Sequence, residues 1–215
     1  MKFKIIKDYY DDIKLYEKSS IDIQPGITVL VGCNGSGKST LIRQIKNSCD
    51  ILKIPCLEFD QTSMESPSIL MEKMILKGKM DEVARLFASS EGMRIKESVY
   101  QFGIQYLKFT EKIKKNQKHL FFFFDAVDSG LSIDNVLEIK SEVFESIIKN
   151  CNEYNKEAYI IVSANEYEMC RNENCLVLPD LKYKEIKTYD SYRKIIIRSR
   201  KKRNLLYGGD EFIYE

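Results

Sequence analysis

The stretch from Thr28 to Thr40, T-V-L-V-G-C-N-G-S-G-K-S-T, constrains this chain more than any other. A short apolar run, Ile27 to Val31, ends at Gly32 and leads into G-x-x-x-x-G-K-[ST], the pattern of a phosphate-cradling P-loop. Gly32, Gly35 and Gly37 permit backbone geometry that a Cβ forbids. The N–H groups around Asn34, Gly35, Ser36 and Gly37 can then point inward as a nest for phosphate oxygens. Lys38 supplies a point charge for the β- and γ-phosphates. Ser39, followed by Thr40, supplies a hydroxyl for Mg²⁺. Residues 39–49 read as a helix whose positive end faces the phosphates.

The rest of the composition bounds what such a loop can belong to. The 215 residues suffice for one α/β domain with a sizeable core. No apolar run approaches the roughly 18–20 residues of a membrane span, and the start, MKFKIIKDYYDDIK, is too charged for a secretory leader. A cytoplasmic location is expected. Six cysteines form no C-x-x-C pair and there is one histidine, His119, so a structural zinc site is not expected. Free thiols fit a reducing compartment. A net charge of +2 gives no bulk argument for a polyanion partner. Residues 191–203, SYRKIIIRSRKKR, nevertheless hold seven basic residues and no acidic one. They read either as a contact for DNA or RNA phosphates or as a solvated helix face with Ile195, Ile196 and Ile197 docked on the body.

Along the chain, short strands are expected at 2–7, 13–16 and 20–23, and Tyr9 and Tyr10, near the start, read either as core packing or as a stack for adenine. A turn at Pro25-Gly26 precedes the P-loop strand. Ile54 to Phe59 reads as a strand ending before Gln61, and 68–87 as a helix. A longer helix over 92–116 carries Ile95, Val99, Phe102, Tyr106, Phe109 and Ile113 at spacings of 4, 3, 4, 3, 4. That stripe predicts an amphipathic helix on a core. Leu120 and four phenylalanines form a fully buried strand closed by Asp125. Ser132 is placed to cap a helix over 133–152, and 158–162 and 175–178 are further strands. Residues 189–204 read as a basic terminal helix. No linker marks a boundary, so 1–215 is expected to be one nucleotide-binding domain, with 188–215 its basic helix and tail.

Phosphoryl transfer needs more than a cradle. Asp125, at the carboxyl end of an apolar strand, has the Walker B pattern of a metal anchor, directly or through water. With these motifs in order, the chain resembles the ATP-binding cassette (ABC) ATPases, in particular their SMC- and RecF-like branch, over about residues 2–190. The resemblance implies an α/β P-loop fold with a mainly parallel central sheet, an antiparallel N-terminal β part and a short helical insertion before a signature helix. It implies ATP and Mg²⁺ as ligands. Ser89-Ser90-Glu91-Gly92-Met93 stands where the family has its signature, Ser90 matching its serine and Gly92 its second glycine. Gln61 is the Q-loop candidate and a possible metal ligand with Ser39 and Asp125. Ser129 to Ser132 lies at the D-loop, and the end of strand 158–162 lies at the switch position. In this family the signature binds the γ-phosphate held by the other subunit. A homodimer sandwiching ATP between P-loop and signature is therefore implied.

Two departures bear on turnover. The family has Glu directly after the Walker B Asp; this chain has Ala126, which cannot polarise a water. Three explanations stand: a natural slow or inactive hydrolase, Asp128 taking the role, or an engineered substitution that traps ATP. The switch segment reads Ser163-Ala164-Asn165, without histidine, and Asn165 can hydrogen-bond a phosphate or water but carries no charge. Tight binding and slow turnover are expected. About 50 residues separate Lys38 from Ser90, too few for a long coiled-coil arm. By analogy the chain looks like a stand-alone cassette of phage, mobile-element or antiphage loci, acting in DNA repair or defence with a partner protein. The rival readings are an ATP-locked module restraining an effector such as a nuclease, and a P-loop small-molecule kinase.

Overall fold

A run of four phenylalanines has no polar face, so it must be covered on both sides. The computed structural model describes residues 1–6, 15–60, 76, 91–113 and 116–207, and in it this run forms β5 (His119–Asp125). With β3 (Gly26–Val31), β4 (Cys56–Asp60), β6 (Glu157–Ala164), β7 (Asn174–Val177) and β8 (Lys182–Glu185) it makes a six-stranded sheet. The order is β4-β5-β6-β3-β7-β8, parallel except for the last pair. Two further strands, β1 (Lys2–Lys4) and β2 (Ser20–Asp22), pair antiparallel in a separate sheet. The mixed α/β fold with a mainly parallel sheet and an antiparallel N-terminal part is as expected. The strand expected at 13–16 is not formed over its described residues, 15 and 16.

Alternation along each strand sorts the core onto two faces. Phe122 and Phe124 join Val29, Val31, Ile160 and Val162 on one face. Phe121 and Phe123 join Leu30, Tyr159 and Ile161 on the other. The second face is covered by α1 (Lys38–Ile51), through Leu41, Ile42 and Ile45, together with Phe3, Ile21 and Ile23. The first is covered by α2 (Glu91–Lys112), α3 (Ile133–Glu138), a π-helical segment (Ile139–Phe144) and α4 (Glu145–Glu153). The short α5 (Tyr167–Cys170) and the terminal α6 (Tyr189–Tyr207) complete this layer.

The α2 stripe behaves as its spacing predicts. Val99, Phe102 and Tyr106 are buried, and Phe109 and Ile113 pack at the margin. The Tyr106 hydroxyl donates to the Ile147 carbonyl of α4 at 2.6 Å, so the ring is buried without stranding its polar tip. Ser132 occupies the N-cap position of α3, yet its side chain makes no capping hydrogen bond. The helix expected at 68–87, and with it the helical insertion, lies outside the described residues except for Leu76, which is helical and exposed.

One consequence positions the site. Because β6 lies between β3 and β5, the carboxyl ends of all three strands reach the same edge of the sheet. In open α/β sheets that edge is where ligands bind.

Candidate functional site

The P-loop runs from the end of β3 into α1, which begins at Lys38. Gly35 (φ +75°) and Gly37 (φ +95°) take left-handed conformations that L side chains rarely adopt. The loop is also tight. A Cβ on Gly32 would stand 2.4 Å from the Ser36 hydroxyl oxygen, and one on Gly37 would stand 2.8 Å from that of Tyr16. Tyr16 donates its hydroxyl to the Gly37 carbonyl at 2.7 Å. Lys38 folds back along the loop, its Nζ donating to the carbonyls of Gly32 (2.8 Å) and Cys33 (3.4 Å). Burial pulls its ammonium below the usual lysine range, against the opposing influence of Cys33, Asp128 and Asp125. Asn34, Gly35 and Ser39 are exposed, and Thr40 is half-buried.

The carboxyl ends of β5 and β6 stand at the same sheet edge as the P-loop. Ser163 is buried and donates its hydroxyl to Asp125 Oδ1, while accepting from the Ala126 N–H at 2.7 Å. Ala126 has φ +51°, so the chain turns out of its strand directly after Asp125. Asp128 is fully buried, and its Oδ2 accepts from the N–H groups of Asn165 and Glu166, both at 2.8 Å. Its other oxygen is buried without a partner among the described residues. Burial pushes this carboxyl up to about 6, against the pull of those two amides. Asn165 donates its side-chain amide to Ser129 Oγ at 2.9 Å. The segments around Asp128–Ser129 and Asn165–Glu166 are thus bound to each other, with Asp128 and Asn165 both engaged in the connection.

Four side chains that shape the site carry no sequence motif for a part in it: Tyr16, Ser163, and Ser199 and Arg203, which stand in the sequence only as members of the basic run 191–203. Ser163 stood in the switch segment, where a polar residue after an apolar strand was the available signal. The other three are brought in by tertiary packing. From α6, Ser199 Oγ accepts from the Cys33 N–H at 3.2 Å, and Arg203 Nη1 donates to the Asn34 carbonyl at 2.9 Å. Gln61 and Ser90 lie outside the described residues, as do Tyr9 and Tyr10. Gly92 lies in the first turn of α2.

The basic run of α6 is largely engaged within the chain. Arg198 pairs with Asp180 at 3.0 Å, Lys202 pairs with Asp180 and Glu17, and Lys194 pairs with Asp190 at 2.7 Å. Ile195 and Ile196 pack against the core, as the docked-face reading expects, whereas Ile197 is exposed.

The residues present fit a triphosphate with its cation. Ser36 Oγ is buried without a partner among the described residues, inside a cradle that a Cβ at Gly32 would fill. Among the described residues no group of three or more His, Cys, Asp or Glu side chains could hold a metal by itself. Mg²⁺ takes one or two protein oxygens and completes its shell with water and phosphate. Ser39 and Asp125 are the candidate donors. Among the described residues, no helix is long and apolar enough to cross a membrane, and all six cysteines are free thiols.

No protein-family model matches the chain, and no curated protein matches it. Among solved structures it is similar to MJ1267, an ATP-binding cassette of an ABC transporter, at 16% identity. The match covers 96% of this chain and 97% of that one, with a TM-score of 0.49. A second structure of that cassette, in its ADP conformation, gives 16% identity and a TM-score of 0.47, covering 97% and 98%. A chain of the E. coli MS115-1 HORMA:CdnC:Trip13 complex gives 11% identity and a TM-score of 0.37, covering 89% of this chain and 56% of that one. At these values the likenesses carry nothing about chemistry, and the functional reading rests on the site itself.

Proposed function

We propose that this chain is an ABC-type ATPase that binds ATP with Mg²⁺, closes as a homodimer around it, and turns it over slowly as a switch. The observation that carries this reading is the P-loop itself. Two left-handed glycines, a back-folded Lys38 and a Ser36 hydroxyl buried without a partner among the described residues stand at the N-terminus of α1. These groups suit a polyphosphate: amides and the helix end for the oxygens, a cation for the charge. Ser39 and Asp125 would hold Mg²⁺, which supplies charge neutralisation at the phosphates. Gln61, Ser90 and Gly92 are proposed to complete the site, the last two acting across the dimer. A role in phage defence or DNA repair, with an effector protein, is the setting we propose by analogy.

Slow turnover follows from what stands after Asp125. Ala126 offers no acceptor for a water proton, and its left-handed backbone directs the chain away from the strand line. Asp128 has one oxygen occupied by two amides and is sealed in the core. We therefore assign Asp128 and Asn165 to holding the switch segment, acting on catalysis through its position. The same observation favours a second reading, an ATP-locked module that restrains an effector without hydrolysis.

Replacing Ala126 by Glu separates the two. Ala126 already carries the left-handed cost of a residue with a Cβ, so the substitution adds only the longer side chain at this turn. Phosphate release should rise at least about 10-fold if a positioned base is what the site lacks. If neither form releases phosphate while both bind ATP, the chain is a locked module and not an ATPase.

A further inference from the structure

We propose that α6 is a strap coupling the P-loop to the switch segment 163–166, and that Arg203 is a positioning residue for the P-loop amides. This rests on the ATP-binding reading above. The helix touches both loops with one stripe of its surface. Tyr192 donates its hydroxyl to the Asn165 carbonyl at 2.5 Å, Ser199 accepts from the Cys33 N–H, and Arg203 donates to the Asn34 carbonyl. Positions 192, 199 and 203 are spaced 7 and 4, so they share a helix face. Ile195 and Ile196 anchor that face in the core between the contacts. Lys202 and Arg198 fix the adjoining flank to Asp180. The 11 helical steps from Tyr192 to Arg203 span about 16 Å of hydrogen-bonded helix, a rod with one loop at each end.

The Arg203 contact has a specific consequence for phosphate binding. The peptide joining Asn34 to Gly35 is planar and trans, so its C=O and N–H point in opposite directions. Drawing the Asn34 carbonyl toward Arg203 turns the Gly35 N–H to the other side of the loop. The Arg203 side chain also lies over Gly35, its Cδ 3.4 Å from where a Cβ would be. Its Nε and Nη2 are held by Asn204 Oδ1 at 3.2 and 2.7 Å, which fixes the guanidinium plane. No carboxylate pairs with Arg203 among the described residues, so its charge is not already neutralised there. P-loop amides cradle the α- and β-phosphates. Arg203 therefore acts on ADP and ATP alike, through the loop and not through the γ-phosphate.

Titration of the full chain with fluorescent mant-ADP and mant-ATP tests this, with folding of each variant checked by thermal melting. Arg203→Ala should weaken both nucleotides about 10-fold, as expected for loss of a charged donor's hydrogen bond. Arg203→Lys, which keeps one donor and the charge, should recover part of that loss. Tyr192→Phe, which removes only the hydroxyl at the far end, should weaken both about 3-fold. Because cutting either end releases the same rod, the double variant should stay near 10-fold, whereas independent sites would multiply to about 30-fold. An unchanged affinity in Arg203→Ala, a loss confined to ATP, or a multiplicative double variant would each overturn the strap while leaving the ATP-binding reading intact. A wild-type chain that binds neither nucleotide would sink that reading, and the strap with it.

Discussion

Asp128 is fully buried, and only one of its two oxygens has a partner among the described residues. Ionising such a group costs desolvation that two amides only partly return, and its carboxyl is pushed up to about 6. The folded state then binds this proton more tightly than the unfolded chain, whose aspartates titrate near about 4. Stability from Asp128 is therefore full below about pH 4 and is lost as pH rises through about 6. Asp128→Asn keeps an acceptor for the amides of Asn165 and Glu166 but cannot ionise. The stability of wild type relative to this variant should fall by on the order of 2 kcal/mol between pH 4 and 7, measured by urea unfolding at both values. A difference independent of pH would contradict the assignment. Asp128 was legible in the sequence as a residue of interest, through its place after the Asp125 strand. Its engagement was not, because Asn165 and Glu166 lie 37 and 38 residues away and no local pattern records an amide that arrives by folding.

At the scale of elements, periodicity carried most of the information. The 4-3-4-3 stripe of α2 and the unbroken apolar run of β5 meet each other: Tyr106 sits edge-on to Phe122 at 4.6 Å, and Phe109 does so at 6.4 Å. Phe122 is wholly buried on the face that α2 covers. Phe122→Ala should therefore cost about 3–5 kcal/mol in denaturant unfolding; a cost under about 1 kcal/mol would mean that α2 does not depend on this contact. What sequence reasoning missed had no periodic signal. β8 is the exposed polar run Lys182–Glu185 at the sheet edge, where lysines are typical of a protected edge strand. It becomes a strand only by pairing antiparallel with β7. The π-helical turn Ile139–Phe144 interrupts what reads as one continuous helix, and its sequence carries no Pro or Gly to announce it.

At the scale of the molecule, the candidate site draws on four distant segments. The P-loop and Asp125 come from strands whose sequence patterns are strong, and both were legible for the same reason: an apolar run ends in residues whose chemistry differs sharply from it. The tie from Ala126 through Ser163 to Asp125, and the reach of α6 across the loop, depend on strand order and helix docking. Those are properties of the whole fold. The seven basic residues of α6 illustrate the difference. In sequence they read either as a contact for nucleic-acid phosphates or as a solvated helix face, and in the fold Arg198, Lys202 and Arg203 bind the chain's own Asp180, Glu17 and Asn34.

The central proposal is that the P-loop binds ATP tightly and that the chain turns it over slowly. The direct measurement is to incubate the full chain with ATP and Mg²⁺, pass it rapidly through a desalting column, and identify the retained nucleotide by ion-exchange chromatography. About one nucleotide per chain should be retained, predominantly ATP, with Lys38→Ala retaining almost none. Recovery of no nucleotide, or of ADP alone, would contradict it.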